Sequence, residues 1–523
     1  MGRLRSCLHG GARLKRVLVA TWGNPFQWEA IEYSADCKSL GLSDCQNVKE
    51  ENVSTLPVLL KALKPQKTII LVLDTLANLT LRNDVPARKM ESYDNVKADV
   101  EERVRWFIEN RVNPYMSEED RALLDDVEIV VLPGVGEFSN VSVEGDVLDF
   151  YSSVLKVLAE RLPVEDTEVI LDLTHGINFM PVLTYRALNA LLGILAYLRT
   201  ARLYVVNSEP FPQGEREWKE KIKPLSVLNM KLVEYLELRP RPLYSTISSR
   251  PKWSAFISSV TNGFPLAFAT FYPSQKEVEE YLEREHLDFL NNIVVSFRPD
   301  PTGVMKLHVL RGKSLSKDFR TAVKLHYMLR VFGTEFKGYP KKEVTLDELV
   351  RITNRLFSRM PRIGIVVGDQ LRELCRLIKG GYEYVNGTSR FRPGVLDRLS
   401  GKHVDKPLLP LKRGKKIALG KLRSAMRLTS PSVGSVNPTP DIRNFIAHSG
   451  FEYNLVFVRY DGTDIYWSYG KMGCGKLVKA DENCESRCAR IDETLSTCSC
   501  SDDVVVCFLI GALKMKNSKG VVC

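Results

Sequence analysis

The apolar positions of the chain fall into two regimes. Up to about residue 210 they come as short, unbroken, β-branched runs: 16–21 (RVLVAT), 67–76 (KTIILVLDTL), 127–132 (VEIVVL), 168–173 (EVILDL) and 202–207 (RLYVVN). Runs without alternation mark strands covered on both faces. Between them apolar residues recur at helical spacing, most clearly over 87–111, 146–161 and 178–199. Strand and helix in alternation predict a doubly wound α/β domain around a parallel sheet. Past about residue 229 and a proline-marked join at 239–242 (RPRP), helical spacing dominates over 275–291, 315–332, 345–359 and 368–378. In the second of these, Phe319, Val323, Leu325, His326, Leu329 and Phe332 share helical spacing, which makes His326 a core or boundary histidine rather than a ligand. Residues 453–460 and 463–469 flank Asp461-Gly462, a favoured hairpin turn pair. There is no internal repeat. The expected organisation is a basic arm over 1–16, an α/β domain over 17–230, a linker or helical connector over 231–315, and a mainly α-helical domain over 316–523 with a β-hairpin insertion and a Cys-rich tail.

Composition adds a partner class. The 523 residues are 44% hydrophobic and 26% charged, an ordinary globular balance, and carry a formal net charge of +11. A basic chain suits a polyanion, and residues 390–427, with Lys412-Arg413-Gly414-Lys415-Lys416, form either a solvated loop or a phosphate-contacting surface. The longest apolar stretch, 187–198, includes Asn189 and is too short to span a bilayer. Residues 1–16 are basic without an apolar core, so no secretory signal is expected and the expected compartment is the cytoplasm.

Three strand ends carry glycine and small polar residues, at 21–24 (TWGN), 133–136 (PGVG) and 174–178 (THGIN). Ligands of open α/β sheets bind just outside the carboxyl ends of the strands. The three loops are therefore expected to converge on one pocket whose backbone N–H groups favour phosphate. The alternative is that the glycines only make strand-to-helix turns.

The chemistry-bearing segment is Pro438-Thr-Pro-Asp-Ile-Arg-Asn-Phe-Ile-Ala-His-Ser-Gly450. Thr439 is expected to cap a helix with Pro440 in its first position, and Gly450 to close it. Ile442, Phe445 and Ile446 form an apolar face, while Asn444 and His448, four apart, share another that Arg443 can reach. These types suit RNA cleavage by an attacking 2′-hydroxyl. Histidine moves protons near neutrality, and a planar guanidinium holds the charge that builds on the phosphate oxygens. The reaction needs no metal, leaves a 2′,3′-cyclic phosphate and a 5′-hydroxyl, and spares DNA, which lacks the nucleophile. Spacing alone is weak: with seven histidines about half an Arg-x4-His match arises by chance. Arg398 and His403 supply one, through Ser400 and Gly401 and with no Asn beside the Arg.

Arg443-Asn444-Phe445-Ile446-Ala447-His448 resembles the R-N-x-x-A-H signature of HEPN ribonuclease domains. Residues 20–25 (ATWGNP), 172–178 (DLTHGIN) and 132–136 (LPGVG) resemble loops of the CARF domains of CRISPR accessory proteins. Together they resemble a Csx/Csm-type accessory ribonuclease of type III CRISPR systems, least so between about 232 and 425. The resemblance implies a Rossmann-like CARF domain that dimerises and senses a cyclic oligoadenylate, most often cyclic tetra-adenylate, and HEPN domains that pair so that two copies of Arg443, Asn444 and His448 form one site for single-stranded RNA. Antiviral defence follows as the role, with no cofactor for catalysis, no membrane partner, and a homodimer or an oligomer of dimers. Carried onto this chain, Thr21, Trp22, Gly23, Asn24, Gly134, Thr174, His175, Gly176 and Asn178 would face the cyclic nucleotide. For His175 the other reading is a structural loop histidine.

Six of eleven cysteines lie at Cys474, Cys484, Cys488, Cys498, Cys500 and Cys507. Disulfides, unrelated thiols and a structural zinc all remain open for them. The competing functional reading is a non-catalytic nucleotide-sensing regulator that binds nucleic acid or a protein; it gives no reason for His448 beside Arg443 and Asn444. A nicotinamide-dependent enzyme is disfavoured, because no G-x-G-x-x-G follows the first strand.

Overall fold

A computed structural model describes residues 14–79, 90–210, 227–299, 303, 305–378, 382–385, 388–391, 414–426, 440–461, 464–471 and 503–518. The basic arm up to residue 13, Arg398 and His403, the basic residues 392–413, Thr439, Gly462 and the cysteines from Cys474 to Cys500 lie outside them. The chain divides into two compact units: 1–239 with 279–331, and 240–278 with 332–523.

In the first unit the strands run β1 (Lys15–Thr21), β2 (Ile31–Ala35), β3 (Val48–Asn52), β4 (Lys67–Leu73), β5 (Val127–Leu132), β6 (Gly136–Glu137), β7 (Val141–Glu144), β8 (Thr167–Asp172), β9 (Ala201–Ser208), β10 (Val227–Glu237), β11 (Ile293–Pro299) and β12 (Met305–Arg311). Eight form one sheet in the order β3-β2-β10-β9-β8-β1-β4-β5. All five expected strands are present and adjacent, parallel to one another from β9 to the edge strand β5. Their apolar runs are largely buried, completely so in β8 and, past Lys15, in β1. The sheet is mixed rather than wholly parallel. β10 joins β9 antiparallel, β2 pairs parallel with β10, and β3 antiparallel with β2. The three additions have alternating or charged sequences such as VKEEN, which suit one-faced strands near an edge.

The expected helices form at Tyr93–Phe107, Val147–Arg161 and Met180–Leu195. Ser92 and Asp146 cap the first two, accepting from the N–H groups of Asn95 and Leu148. β1 lies between β4 and β8, so its carboxyl end is the switch point of the sheet.

Residues 231–315, expected as a connector, divide between the units, and part of them is strand. β11 and β12 form an antiparallel hairpin, and β12 pairs parallel with β7 in the second sheet, β11-β12-β7-β6. The hairpin ends on Arg311, which is fully buried. Its Nε meets Asp149 at 3.2 Å, its Nη1 lies 3.5 Å from Asp74, and its Nη2 donates to the Gly134 carbonyl at 2.6 Å. Burial raises the pKa of both carboxyls, and the guanidinium offsets that rise.

The second unit holds β13 (Val344–Thr345), β14 (Tyr382–Val385), β15 (Thr388–Phe391), β16 (Lys416–Ala418), β17 (Val456–Tyr460) and β18 (Ile465–Tyr469). β17 and β18 are the expected hairpin, inside the sheet β13-β18-β17-β16. Helices Pro251–Asn262, Leu346–Leu356, Pro361–Ile378 and Val504–Ser518 belong to this unit. Thr345 and Glu348 form a reciprocal capping box at the start of Leu346–Leu356.

Candidate functional site

The trio stands on a helix shorter than its spacing suggests. The helix runs Ile442–Ala447 and is capped by Asp441, whose carboxylate accepts the Arg443 N–H at 2.6 Å, so Thr439 is not the cap. An Asp directly before the apolar face satisfies the first free N–H two residues later than the expected start. At the other end the Ser449 N–H donates to the Ile446 carbonyl and the Gly450 N–H to the Phe445 carbonyl, the paired bonds of a Schellman closure. Ser449 and Gly450 both have positive φ, and a Cβ on Gly450 would stand 2.8 Å from the Tyr469 hydroxyl. His448 itself is the C-cap.

Ile442 and Phe445 face inward. Phe445 meets Phe264 and Phe508 edge-to-face at 5.3 and 5.8 Å, within a cluster that includes Val504, Val505 and Leu509. Each buried side chain of this size stabilises by about 2 kcal/mol, so the apolar C-terminal run is the floor of the helix. Cys507, on that floor, is disulfide-bonded. A second disulfide, Cys37–Cys45, lies in the first unit and had no signal in the clustered cysteines.

The other face is open. Arg443 and Asn444 are exposed, and among the described residues their side chains make no hydrogen bond. His448 is half-buried and held at both ring nitrogens. Nδ1 lies 3.0 Å from Gln370 Oε1, and Nε2 lies 3.3 Å from the Tyr453 hydroxyl. Neither partner was visible in the motif, since Gln370 arrives from the Pro361–Ile378 helix.

The strand-end loops of the first unit meet as expected for two of the three. The Gly23 N–H donates to the His175 carbonyl at 2.8 Å, and added Cβ atoms on Gly23 and Gly176 would strike Ile177 and Thr21. Both glycines are therefore close-approach positions. Thr21 is buried, and its hydroxyl donates toward the Asp172 carbonyl at 3.4 Å. Trp22 is 1% exposed and packs edge-on against Trp28 and Phe107. Asn24 caps the Pro25–Gln27 turn, accepting from the Phe26 N–H. Thr174 donates its hydroxyl to Asp172 at 2.6 Å and accepts the Ser208 N–H. Asn178 is exposed with φ of 51°.

His175 stacks on Trp28 at 3.8 Å, and its Nε2 accepts the Thr55 N–H at 3.3 Å. Burial pushes its pKa down to about 3, so it is neutral near pH 7. Asp172 accepts from Thr55 and Thr174; burial raises its pKa against those bonds. The third loop differs. The Gly134 N–H donates to buried Asp74 at 2.7 Å and its carbonyl accepts from Arg311, so this loop's backbone is tied into the Asp74–Arg311–Asp149 cluster. A cavity of about 60 Å³ is lined by Trp22, Gly23 and Asn24 together with Leu76, Asn140 and Ile177.

Comparison with known proteins bears on both ends. Residues 17–210 match the CARF domain, and residues 400–471 the HEPN domain, of the CRISPR system endoribonuclease Csx1. Over 494 residues the chain is 28% identical to the CRISPR system endoribonuclease Csx1 of Methanocaldococcus jannaschii, covering 87% of each. Enterococcus italicus Csm6 bound to cyclic hexa-2′-fluoro-hexa-dAMP aligns over 73% of this chain and 74% of its own at 10% identity. Its TM-score of 0.21 is too low to bear on the site. An α/β unit matching a CARF domain and a second unit bearing an Arg-Asn…His trio define a CARF–HEPN architecture. The two matched domains are, in this order, those of a CARF–HEPN endoribonuclease of CRISPR systems. No described helix is long and apolar enough to cross a membrane.

Proposed function

We propose that the protein is a CRISPR endoribonuclease that cuts single-stranded RNA at Arg443, Asn444 and His448 and is switched on by a cyclic oligoadenylate, cyclic tetra-adenylate by preference. The observation that carries this reading is the polar face of the Ile442–Ala447 helix: an exposed guanidinium and amide beside a histidine held at both nitrogens. His448 takes the proton of the 2′-hydroxyl, Arg443 stabilises the charge on the phosphate oxygens, and Asn444 orients the scissile phosphate. No metal enters this mechanism, and the products carry a 2′,3′-cyclic phosphate and a 5′-hydroxyl. A six-residue helix offers one such face, and a C2 dimer would bring two of them to one RNA. The activator would bind outside the carboxyl ends of β1 and β8, at Gly23, Asn24, Thr174, His175, Gly176 and Asn178, while Thr21 and Trp22, both buried, support those loops from beneath and do not face the ligand as expected. Gly134 enters only through its tie to Asp74.

One experiment tests the reading. Labelled single-stranded RNA is incubated with the protein in EDTA, with and without cyclic tetra-adenylate, beside His448→Ala. Ligand-stimulated cutting that survives EDTA and vanishes in the variant is expected. Undiminished cutting by His448→Ala would overturn the site, and loss in EDTA the metal-free mechanism.

A further inference from the structure

The histidine of the trio is gripped by two side chains that lie outside the motif. Gln370 stands in the middle of the Pro361–Ile378 helix and presents Oε1 to Nδ1 at 3.0 Å. Tyr453, five residues beyond His448, sets its hydroxyl 3.3 Å from Nε2, with the two rings 5.1 Å apart and inclined by 35°. A glutamine carbonyl can only accept, so Nδ1 carries a proton. In the neutral ring the lone pair is then on Nε2, where the Tyr453 O–H donates. In the charged ring Nε2–H donates to the same oxygen, because a hydroxyl turns to serve either role. The carbonyl at Nδ1 satisfies both states, and the one proton that comes and goes is on Nε2.

We infer that Gln370 is a positioning residue that fixes the tautomer of His448 and makes Nε2 its proton-exchanging atom, while the Tyr453 hydroxyl holds the place that the RNA 2′-hydroxyl takes. This rests on reading His448 as the proton-transfer group. In that step the 2′ O–H bond breaks and its proton joins the Nε2 lone pair. The oxygen bonds to phosphorus, and the 5′-oxygen leaves with the electron pair of its own bond to phosphorus and takes a proton from water. Second partners of this kind commonly set the tautomer and basicity of a working histidine.

The test is the pH dependence of cleavage by the full chain, with labelled single-stranded RNA and cyclic tetra-adenylate as the added activator. In Gln370→Glu a carboxylate faces Nδ1–H and favours the imidazolium. The inflection of kcat that reports His448 is expected to rise by about one pH unit, with KM for RNA unchanged. Gln370→Leu, which keeps the volume and removes the acceptor, is expected to lower kcat about tenfold or more at constant KM. Tyr453→Phe keeps the ring and removes only the placeholder hydroxyl, so its kcat is expected to stay close to wild type; a loss as large as that of Gln370→Leu would overturn the placeholder role. Other charged groups on the surrounding elements are Asp441 and Arg443 on the histidine's own helix, the Asp369–Arg372 pair and Glu373 beside Gln370, buried Glu452 next to Tyr453, and Lys421 beyond Gly420, whose N–H donates to the Tyr453 carbonyl. None of them changes in these variants, so a moved inflection reads the new carboxylate. A Gln370→Glu profile superimposable on wild type would overturn the inference, as would a Gln370→Leu variant with full kcat. Full cutting by His448→Ala would instead remove the site reading beneath it.

Discussion

At the carboxyl ends of β1 and β8 the polar groups already have partners. Thr174 and Thr55 both donate to Asp172, His175 accepts from Thr55, and the Gly23 N–H is taken by the His175 carbonyl. On the Ile442–Ala447 helix the arrangement is reversed: Arg443 and Asn444 are exposed without a hydrogen bond among the described residues, and only His448 is held. A ligand entering the first region exchanges existing bonds for new ones, so its binding is coupled to the geometry of the loops. A phosphate arriving at the second meets donors that give up only water among the described residues. The former arrangement suits a switch and the latter a reactive surface.

The contrast can be broken in graded ways. His448→Ala is expected to lower RNA cleavage by about 10²–10⁴-fold while leaving the melting temperature close to wild type, as read by gel assay and thermal unfolding. Arg311→Ala should do the opposite. It strands Asp74 and Asp149 in the interior, at a cost of about 3–5 kcal/mol, measured as a lower denaturation midpoint. An intermediate effect belongs to His175. Its folded pKa of about 3 lies below the ordinary 6.5, so between those values the unfolded chain binds a proton that the folded chain refuses. Stability therefore falls as pH falls through that window, by at most about 1.4 kcal/mol per unit. Denaturation curves of wild type and His175→Gln should accordingly diverge on acidification, with wild type losing more. The smallest effect is expected for Asp441→Ala, about 1 kcal/mol from the lost cap, read as a slightly lower denaturation midpoint, with Arg443, Asn444 and His448 themselves unchanged.

How much of this was legible follows from what each residue needs. β1, β4, β5, β8 and β9 could be read because strands buried on both faces leave unbroken apolar runs. β2, β3 and β10 could not: VKEEN and the charged half of β10 look like surface until a neighbouring strand covers one side. In the reactive helix the trio and its apolar face were visible as spacing. The true cap was not, because Asp441 and Thr439 are both competent and only geometry chooses Asp441. Gln370 was invisible for a different reason. Its role comes from a contact across 78 residues of chain, and no local pattern marks a glutamine for that duty. The Trp22 ring was expected at a ligand surface, yet it lies in an aromatic core with Trp28 and Phe107. A motif position fixes a loop without fixing which way each of its side chains turns.

The hairpin that ends on Arg311 has a consequence for anyone dissecting the chain with a gene-level cut. A fragment ending at residue 230 would look like a complete sensor by motif, but it would lack β11, β12 and the only cation that this structure places between Asp74 and Asp149 among the described residues. A fragment beginning at 316 would likewise omit the Pro251–Asn262 helix, whose Ser258 hydroxyl donates to the Leu509 carbonyl at 2.5 Å. The two compact units are interleaved along the gene, so grafting either onto another protein means transplanting two separated stretches of sequence.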